Sequence, residues 1–254
     1  MRTYLGLIAC LCLYPFAASA DTTGLSGYKL LVLAGHTVKW GKPSLGTGAA
    51  VTYAFINRHM TFSGVNCRGM DALAPVIAKS GIDEPRLHRE VARAFDLWSH
   101  VADIRFSEAL GTESADILIG AETVPVGWAY TNVDETAPGN DRDDGIARAL
   151  GPNAHGSASI APGGRTLDQT RTIRQSLICL NPAKSWKIGF DGNLDIYDLR
   201  FTVAHEIGHA IGLDHPGSIG AVMGYKYTEQ LNQLTSGDIS GVTQIYGPRR
   251  DDRH

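Results

Sequence analysis

The sequence predicts a single α+β domain. Three observations carry this. Apolar residues recur at helical spacing at Leu87, Val91, Ala94, Phe95, Trp98 and Val101. Several short segments of strand character lie between residues 28 and 180. Two more helical stretches follow late in the chain, after Asp198 and Ser236, and no internal repeat is visible. The count is about five strands and three main helices.

In chain order, residues 1–20 have the form of a cleavable leader. Arg2 gives the positive start, Leu5 to Phe16 is mostly apolar, and Ala18-Ser19-Ala20 precedes Asp21. The apolar stretch is too short to span a membrane. Leu7-Ile8-Ala9-Cys10 offers a lipoprotein-type signal as the weaker alternative. Residues 21–48, rich in Gly and Ser around the apolar run Tyr28 to Leu33, form an N-terminal extension or an outer strand. The main domain is placed at 49–254.

Residues 49–56 alternate as a strand does. Asp83 caps a helix that has Glu84 and Pro85 in its first turn. Asp103 to Phe106, Ala115 to Ile119 and Ser176 to Leu180 read as strands. Residues 133–175, full of Gly, Asp, Asn and Pro, read as a long loop. Asp198 caps a helix running to about Gly212. Ser236 caps the last helix, with Ile239, Val242, Ile245 and Tyr246 facing inward.

Composition narrows the function. The chain has 254 residues and a formal charge of −3, which becomes −4 once the leader with Arg2 is removed. That mild acidity argues against nucleic-acid binding, which wants a basic face. Four cysteines become two, Cys67 and Cys179. In an oxidising compartment an even pair reads as one disulfide, the rival being two buried thiols.

The segment His205-Glu206-Ile207-Gly208-His209-Ala210-Ile211-Gly212-Leu213-Asp214-His215 reads H-E-x-x-H-x-x-G-x-x-H without mismatch. His205 and His209, four apart, share one face of a helix and can bind one metal ion. Gly212 lets the chain leave the helix sharply, bringing in His215 as a third ligand. Three protein ligands leave a zinc position open for water, the catalytic pattern. Glu206, beside the first ligand, is placed to act on that water. Met223 follows His215 by eight positions in Ala221-Val222-Met223-Gly224-Tyr225.

These residues resemble the metzincin zinc metalloproteases, with Met223 as their Met-turn, and in particular the matrixin and serralysin branch. Val51-Thr52-Tyr53-Ala54-Phe55 is similar to the first core strand of matrixins. Val91 to Trp98 is similar to their first long helix, Ala115 to Gly120 to their central strand, and Leu234 to Tyr246-Gly247 to their last helix. Pro216-Gly217 and Tyr225 are closer to serralysins. Neither Gly-Gly-x-Gly-x-Asp repeats nor a haemopexin-like repeat follows Tyr246-Gly247, so the chain is similar to a stand-alone, bacterial-style matrixin-like protease.

The resemblance implies a twisted mixed sheet with a zinc cleft between an upper and a lower part. It implies an endopeptidase acting on protein or peptide; the leader makes it a secreted one, and a monomer is expected. Water activated by zinc at His205, His209 and His215 attacks the peptide bond, Glu206 is general base and Tyr225 stabilises the transition state. Ser176 to Leu180 is the expected edge for an extended peptide, with a side-chain pocket near Met223 to Tyr227. The alternatives are a non-catalytic secreted binding protein and a zinc hydrolase acting on a non-peptide bond.

The matrixin latency motif is absent. Asn66-Cys67-Arg68-Gly69-Met70-Asp71 has some likeness to it but lies after the first core strand. Ile178-Cys179-Leu180-Asn181 has Cys and Asn where matrixins carry His and Asp, which puts a second zinc in doubt. Calcium stays open: Asp191-Gly192-Asn193-Leu194-Asp195 alternates oxygen ligands without the glycine and glutamate of an EF-hand, and Asp134, Asp141, Asp143 and Asp144 form an acidic loop. His36, His59, His88, His100 and His155 show no ligand spacing.

Overall fold

The computed structural model describes residues 27–64, 66–136, 170–217 and 220–250. The leader 1–20 with its cleavage site, and Asp141, Asp143, Asp144 and His155 of the long loop, lie outside the described residues.

Five longer strands build the centre of a mixed sheet. To number them in chain order, the short strands β1 (Lys29–Leu30), β2 (Val32–Leu33) and β3 (His36–Lys39) come first. Then come β4 (Ala49–Phe55), the hairpin β5 (Met60–Thr61) and β6 (Gly69–Asp71), β7 (Ile104–Glu108), β8 (Ile117–Glu122), β9 (Ala129–Glu135) and β10 (Arg171–Leu180). The long strands run in the order β7-β4-β8-β10-β9. β4, β7, β8 and β10 are parallel, and β9 closes the sheet antiparallel to β10. β8 is buried at all six positions, as a strand covered on both faces must be.

The helices are α1 (Ala74–Ser80), α2 (Glu84–Ser99), α3 (Leu199–Ala210) and α4 (Ser236–Tyr246). In α2, the Asp83 side chain accepts the Arg86 N–H at 2.8 Å, and Leu87, Val91, Ala94, Phe95 and Trp98 are buried. Leu87, Val91 and Phe95 each contribute roughly 1.5–3 kcal/mol on burial. α3 is different. Nine of its twelve residues are buried, so no amphipathic stripe marks it. α2 packs along it, and Trp98 donates its indole N–H to the carbonyl of Ala204 at 2.9 Å.

A buried helix end leaves carbonyls that need donors. Three side chains distant in sequence supply them for α3. Trp40 Nε1–H (2.8 Å) and the Ser176 hydroxyl (3.2 Å) donate to the carbonyl of Ala210, and the Tyr246 hydroxyl donates to that of Ile211 at 2.8 Å. Trp40 and its neighbours Val38 and Lys39 are almost wholly buried.

The structure departs from several expectations. Of the two readings of residues 21–48, the described part is strand: β3 pairs parallel with β10, and β1 pairs with β11 (Leu213–Asp214). It is integrated into the fold, because Trp40 closes the end of α3. Ser176 to Leu180 is not an edge. It lies between β8 and β9, and β9 is the outer strand on that side. The cap of α4 is Thr235, not Ser236: its side chain and that of Asp238 form a reciprocal capping box. α1 was not expected; Pro75 in its first turn and Gly81 in the left-handed conformation bound it. Among the described residues, no helix is long and apolar enough to cross a membrane.

Candidate metal centre

His205 and His209 stand one turn apart on α3, and the chain then reverses to bring His215 against them. The three Nε2 atoms are 3.1, 3.2 and 3.3 Å from one another. The opposite ring nitrogens of two of them fix the tautomer. His205 Nδ1–H donates to the carbonyl of Val222 at 2.6 Å, and His209 Nδ1–H to that of Leu213 at 2.9 Å. A carbonyl only accepts, so Nδ1 carries the proton and Nε2 presents its lone pair inward. Lone pairs converging at this spacing repel unless a cation lies among them. A tetrahedral zinc with Zn–N near 2.0 Å separates its nitrogens by about 3.3 Å, so the residues fit zinc. Burial, and then the neighbouring His205, hold His209 down to about 4, keeping it in the neutral form that binds metal.

Two glycines make this geometry possible. Gly212 has φ +101°, and a Cβ there would stand 2.3 Å from the carbonyl oxygen of Val38. The turn toward His215 and the close passage of β3 both exclude a side chain. Gly208, between the two helical histidines, lies over Met223, whose Sδ would be 2.1 Å from an added Cβ.

Met223 is buried beneath the helix. The carboxylate of Asp238 accepts the backbone N–H groups of Val222 (3.0 Å) and Met223 (3.2 Å), while also bonding Thr235. The same aspartate thus caps α4 and anchors the turn that carries the carbonyl holding His205.

Glu206 is 6% exposed. Its Oε2 accepts the hydroxyl of Thr131, from β9, at 2.7 Å. Tyr225 is exposed and stacks on His215, with ring centroids 4.1 Å apart. Tyr227 is buried in a stack of Trp128, Tyr197 and Tyr227, with centroid spacings of 4.0 and 4.1 Å. The Tyr227 hydroxyl accepts the N–H of Asp198, the cap of α3, and donates to Glu229. Position 227 therefore braces the start of the helix that carries His205 and His209.

The other predicted residues do not join the centre. Cys67 and Cys179 bring their sulfurs into bonding contact, with Cα atoms 5.6 Å apart across 112 residues. Glu122 stands beside them, accepting the Cys67 N–H, and burial raises its pKa. These three form the one other trio of suitable ligand atoms among the described residues, but each sulfur is already taken by the other. The oxygens of the 191–195 turn close on Lys187 instead: its ammonium bonds the Asp191 carboxylate, the Asn193 carbonyl and Glu229. Asp134 is bonded by Arg174. His59 pairs with Asp71, and His88 stacks on Phe55.

Sequence reasoning missed Thr131 and Asp238. A threonine in a strand and an aspartate in a helix cap carry no local sign of a distant partner. The T-x-x-D spacing of the capping box was the one available signal for Asp238.

Two histidines on a helix, a third brought in beyond a glycine turn, and a methionine beneath them define a metzincin. Comparison with known proteins narrows this. The family model for matrixin matches residues 76–247, and the chain belongs to the matrixin family of metalloproteases. It is similar to an interstitial collagenase of Sus scrofa, 27% identical over 196 residues, covering 76% of this chain and 32% of the collagenase. It is also similar to matrix metalloproteinase-16 of Mus musculus, 27% identical over 199 residues, covering 76% of this chain and 27% of that protein. The match thus spans between about a quarter and a third of the length of these relatives.

Proposed function

We propose that this chain is a secreted zinc-dependent endopeptidase. The observation that carries the reading is the convergence of three Nε2 atoms beside a buried glutamate, next to the outermost strand of the sheet. The names of the relatives, a collagenase and a matrix metalloproteinase, support peptide bonds as the substrate.

His205, His209 and His215 would hold the ion. Zinc bound there supplies a Lewis acid that polarises the scissile carbonyl and makes a water more acidic. Glu206 takes the proton of the attacking water and passes it to the leaving amine. β9, paired on one side only among the described residues, offers its other edge to an extended peptide by strand addition. Tyr225, exposed beside His215, donates a hydrogen bond to the developing oxyanion.

The remaining assignments form part of the same reading. Met223 is the Met-turn residue, and Cys67 and Cys179 form a disulfide. The leader is removed near Ala20, which sends the protein to an extracellular or periplasmic space, where it acts as a monomer. Lys187 in the 191–195 oxygen cluster argues against calcium at that turn.

The test is cleavage of a denatured protein by purified residues 21–254, with and without a zinc chelator. The reading expects cleavage lost on chelation and restored by zinc, with one zinc per chain. A protein that holds zinc but cleaves nothing would instead be a binding protein.

A further inference from the structure

We infer that Thr131 is the positioning residue of the general base: its hydroxyl, held out by β9, fixes the carboxylate of Glu206. This rests on the hydrolase reading above.

Thr131 Oγ1 lies 2.7 Å from Glu206 Oε2 and 3.0 Å from the backbone carbonyl oxygen of the same residue. Both are acceptors and the hydroxyl has one proton, which goes to the nearer and stronger of the two, the carboxylate oxygen. A glutamate side chain has three rotatable bonds and loses up to about 2 kcal/mol of rotamer freedom when held in one orientation. The helix fixes only where Glu206 starts. The hydroxyl fixes where its carboxylate ends, by holding Oε2 and so assigning Oε1 to the water.

The donor is itself well placed. β9 pairs with β10 from Ala129↔Leu180 to Glu135↔Ile173, with Thr131 opposite Ile178. β10 in turn holds the end of α3 through Ser176. The strand that aims the base is also the strand proposed to bind the peptide. One element therefore sets both the depth of the substrate and the direction of proton transfer, and relative placement within about 1 Å governs rate.

The chemistry at position 131 is specific. Valine keeps the shape of threonine and lacks the donor, whereas serine keeps the donor and lacks the methyl. We therefore compare Thr131→Val and Thr131→Ser with the wild type, each with its zinc content measured. On a peptide substrate, Thr131→Val is expected to lower kcat on the order of 10- to 100-fold, with KM changed less than about 3-fold. Thr131→Ser restores kcat to within about 3-fold of wild type. A merely structural role would instead follow the methyl group, and serine would not rescue.

Crystal structures of wild type and Thr131→Val give a readout that needs no turnover: the carboxylate of Glu206 leaves its wild-type orientation in the valine variant. A valine variant with kcat within 2-fold of wild type, or with Glu206 unmoved, overturns the inference. If the wild type itself cleaves nothing, the hydrolase reading fails, and the two structures still decide whether Thr131 aims Glu206.

Discussion

Asp238 holds Val222 by its backbone N–H at 3.0 Å, and the carbonyl of the same Val222 holds His205 Nδ1–H at 2.6 Å. A carboxylate on the last helix is thereby coupled to the orientation of His205 on the third. Asp238→Ala would leave two buried N–H groups without partners, costing about 2–4 kcal/mol. It would also free the Val222 carbonyl to shift. Outer partners of ligating histidines typically govern 10- to 100-fold in metal affinity. The expected outcome is a lower unfolding midpoint together with zinc binding weakened by about 10-fold or more. A competitive zinc titration and a denaturant melt measure the two, and an unchanged zinc affinity would break the proposed coupling.

Gly212 is the second dependency. Its φ of +101° and the Val38 carbonyl, 2.3 Å from any added Cβ, act against substitution together. Gly212→Ala should therefore lose about 3 kcal/mol or more, beyond the conformational cost alone. Because β3 must retreat to admit the methyl group, His215 moves too. Equilibrium unfolding checks the first effect, and zinc stoichiometry after dialysis checks the second.

Lys39 gives a pH signature. It is wholly buried, with Nζ donating to the carbonyls of Trp40 and Lys42 at 2.8 Å each, and burial lowers its pKa to about 8. The folded state thus binds the proton less tightly than the unfolded chain, whose value is 10.5. Below pH 8 the full penalty is present in the wild type, and it is relieved as pH rises from 8 toward 10.5. Relative to Lys39→Met, the wild type should gain stability between pH 7.5 and about 9.5. Parallel pH profiles of the two proteins over that range would show that Lys39 titrates as it does in the unfolded chain.

The Cys67–Cys179 pair closes a loop of 112 residues. In the chain-entropy model a bridge of that span stabilises by roughly 4–5 kcal/mol. Replacing both cysteines by alanine should lower stability by about that amount, with zinc binding retained, since neither sulfur touches the histidines. A urea melt of the double variant against the oxidised protein measures it. No difference would mean that the pair does not bridge in solution.

How much of this was legible beforehand differs by element. The three-histidine cluster was, because His205, His209 and His215 lie within eleven residues and one local motif fixes their spacing. α2 was, because one face of it is wet and its apolar residues keep a 3.6 period. α3 has no such stripe, and only the histidines and the Asp198 cap revealed it. The edge strand was misplaced for a physical reason. Ala129–Glu135 carries Tyr, Thr, Asn and Asp and looks like a loop, while Ser176 to Leu180 is apolar because strands on both sides bury it. An outer strand is half wet and reads as polar. Thr131, Asp238 and Trp40 act on partners 75, 16 and 170 residues away, and no window of sequence shows such pairs.

In the proposed function, Glu206 performs the proton transfer at a zinc centre built by His205, His209 and His215. Its most direct test is Glu206→Gln beside the wild type, each brought to one zinc per chain, with peptide hydrolysis as the readout. Glutamine keeps the shape and an oxygen for Thr131 to bond, and removes the base. Zinc binding and the unfolding midpoint are expected to persist while kcat falls on the order of 10²- to 10⁴-fold. A zinc-loaded Glu206→Gln protein that hydrolyses peptide at the wild-type rate would contradict it.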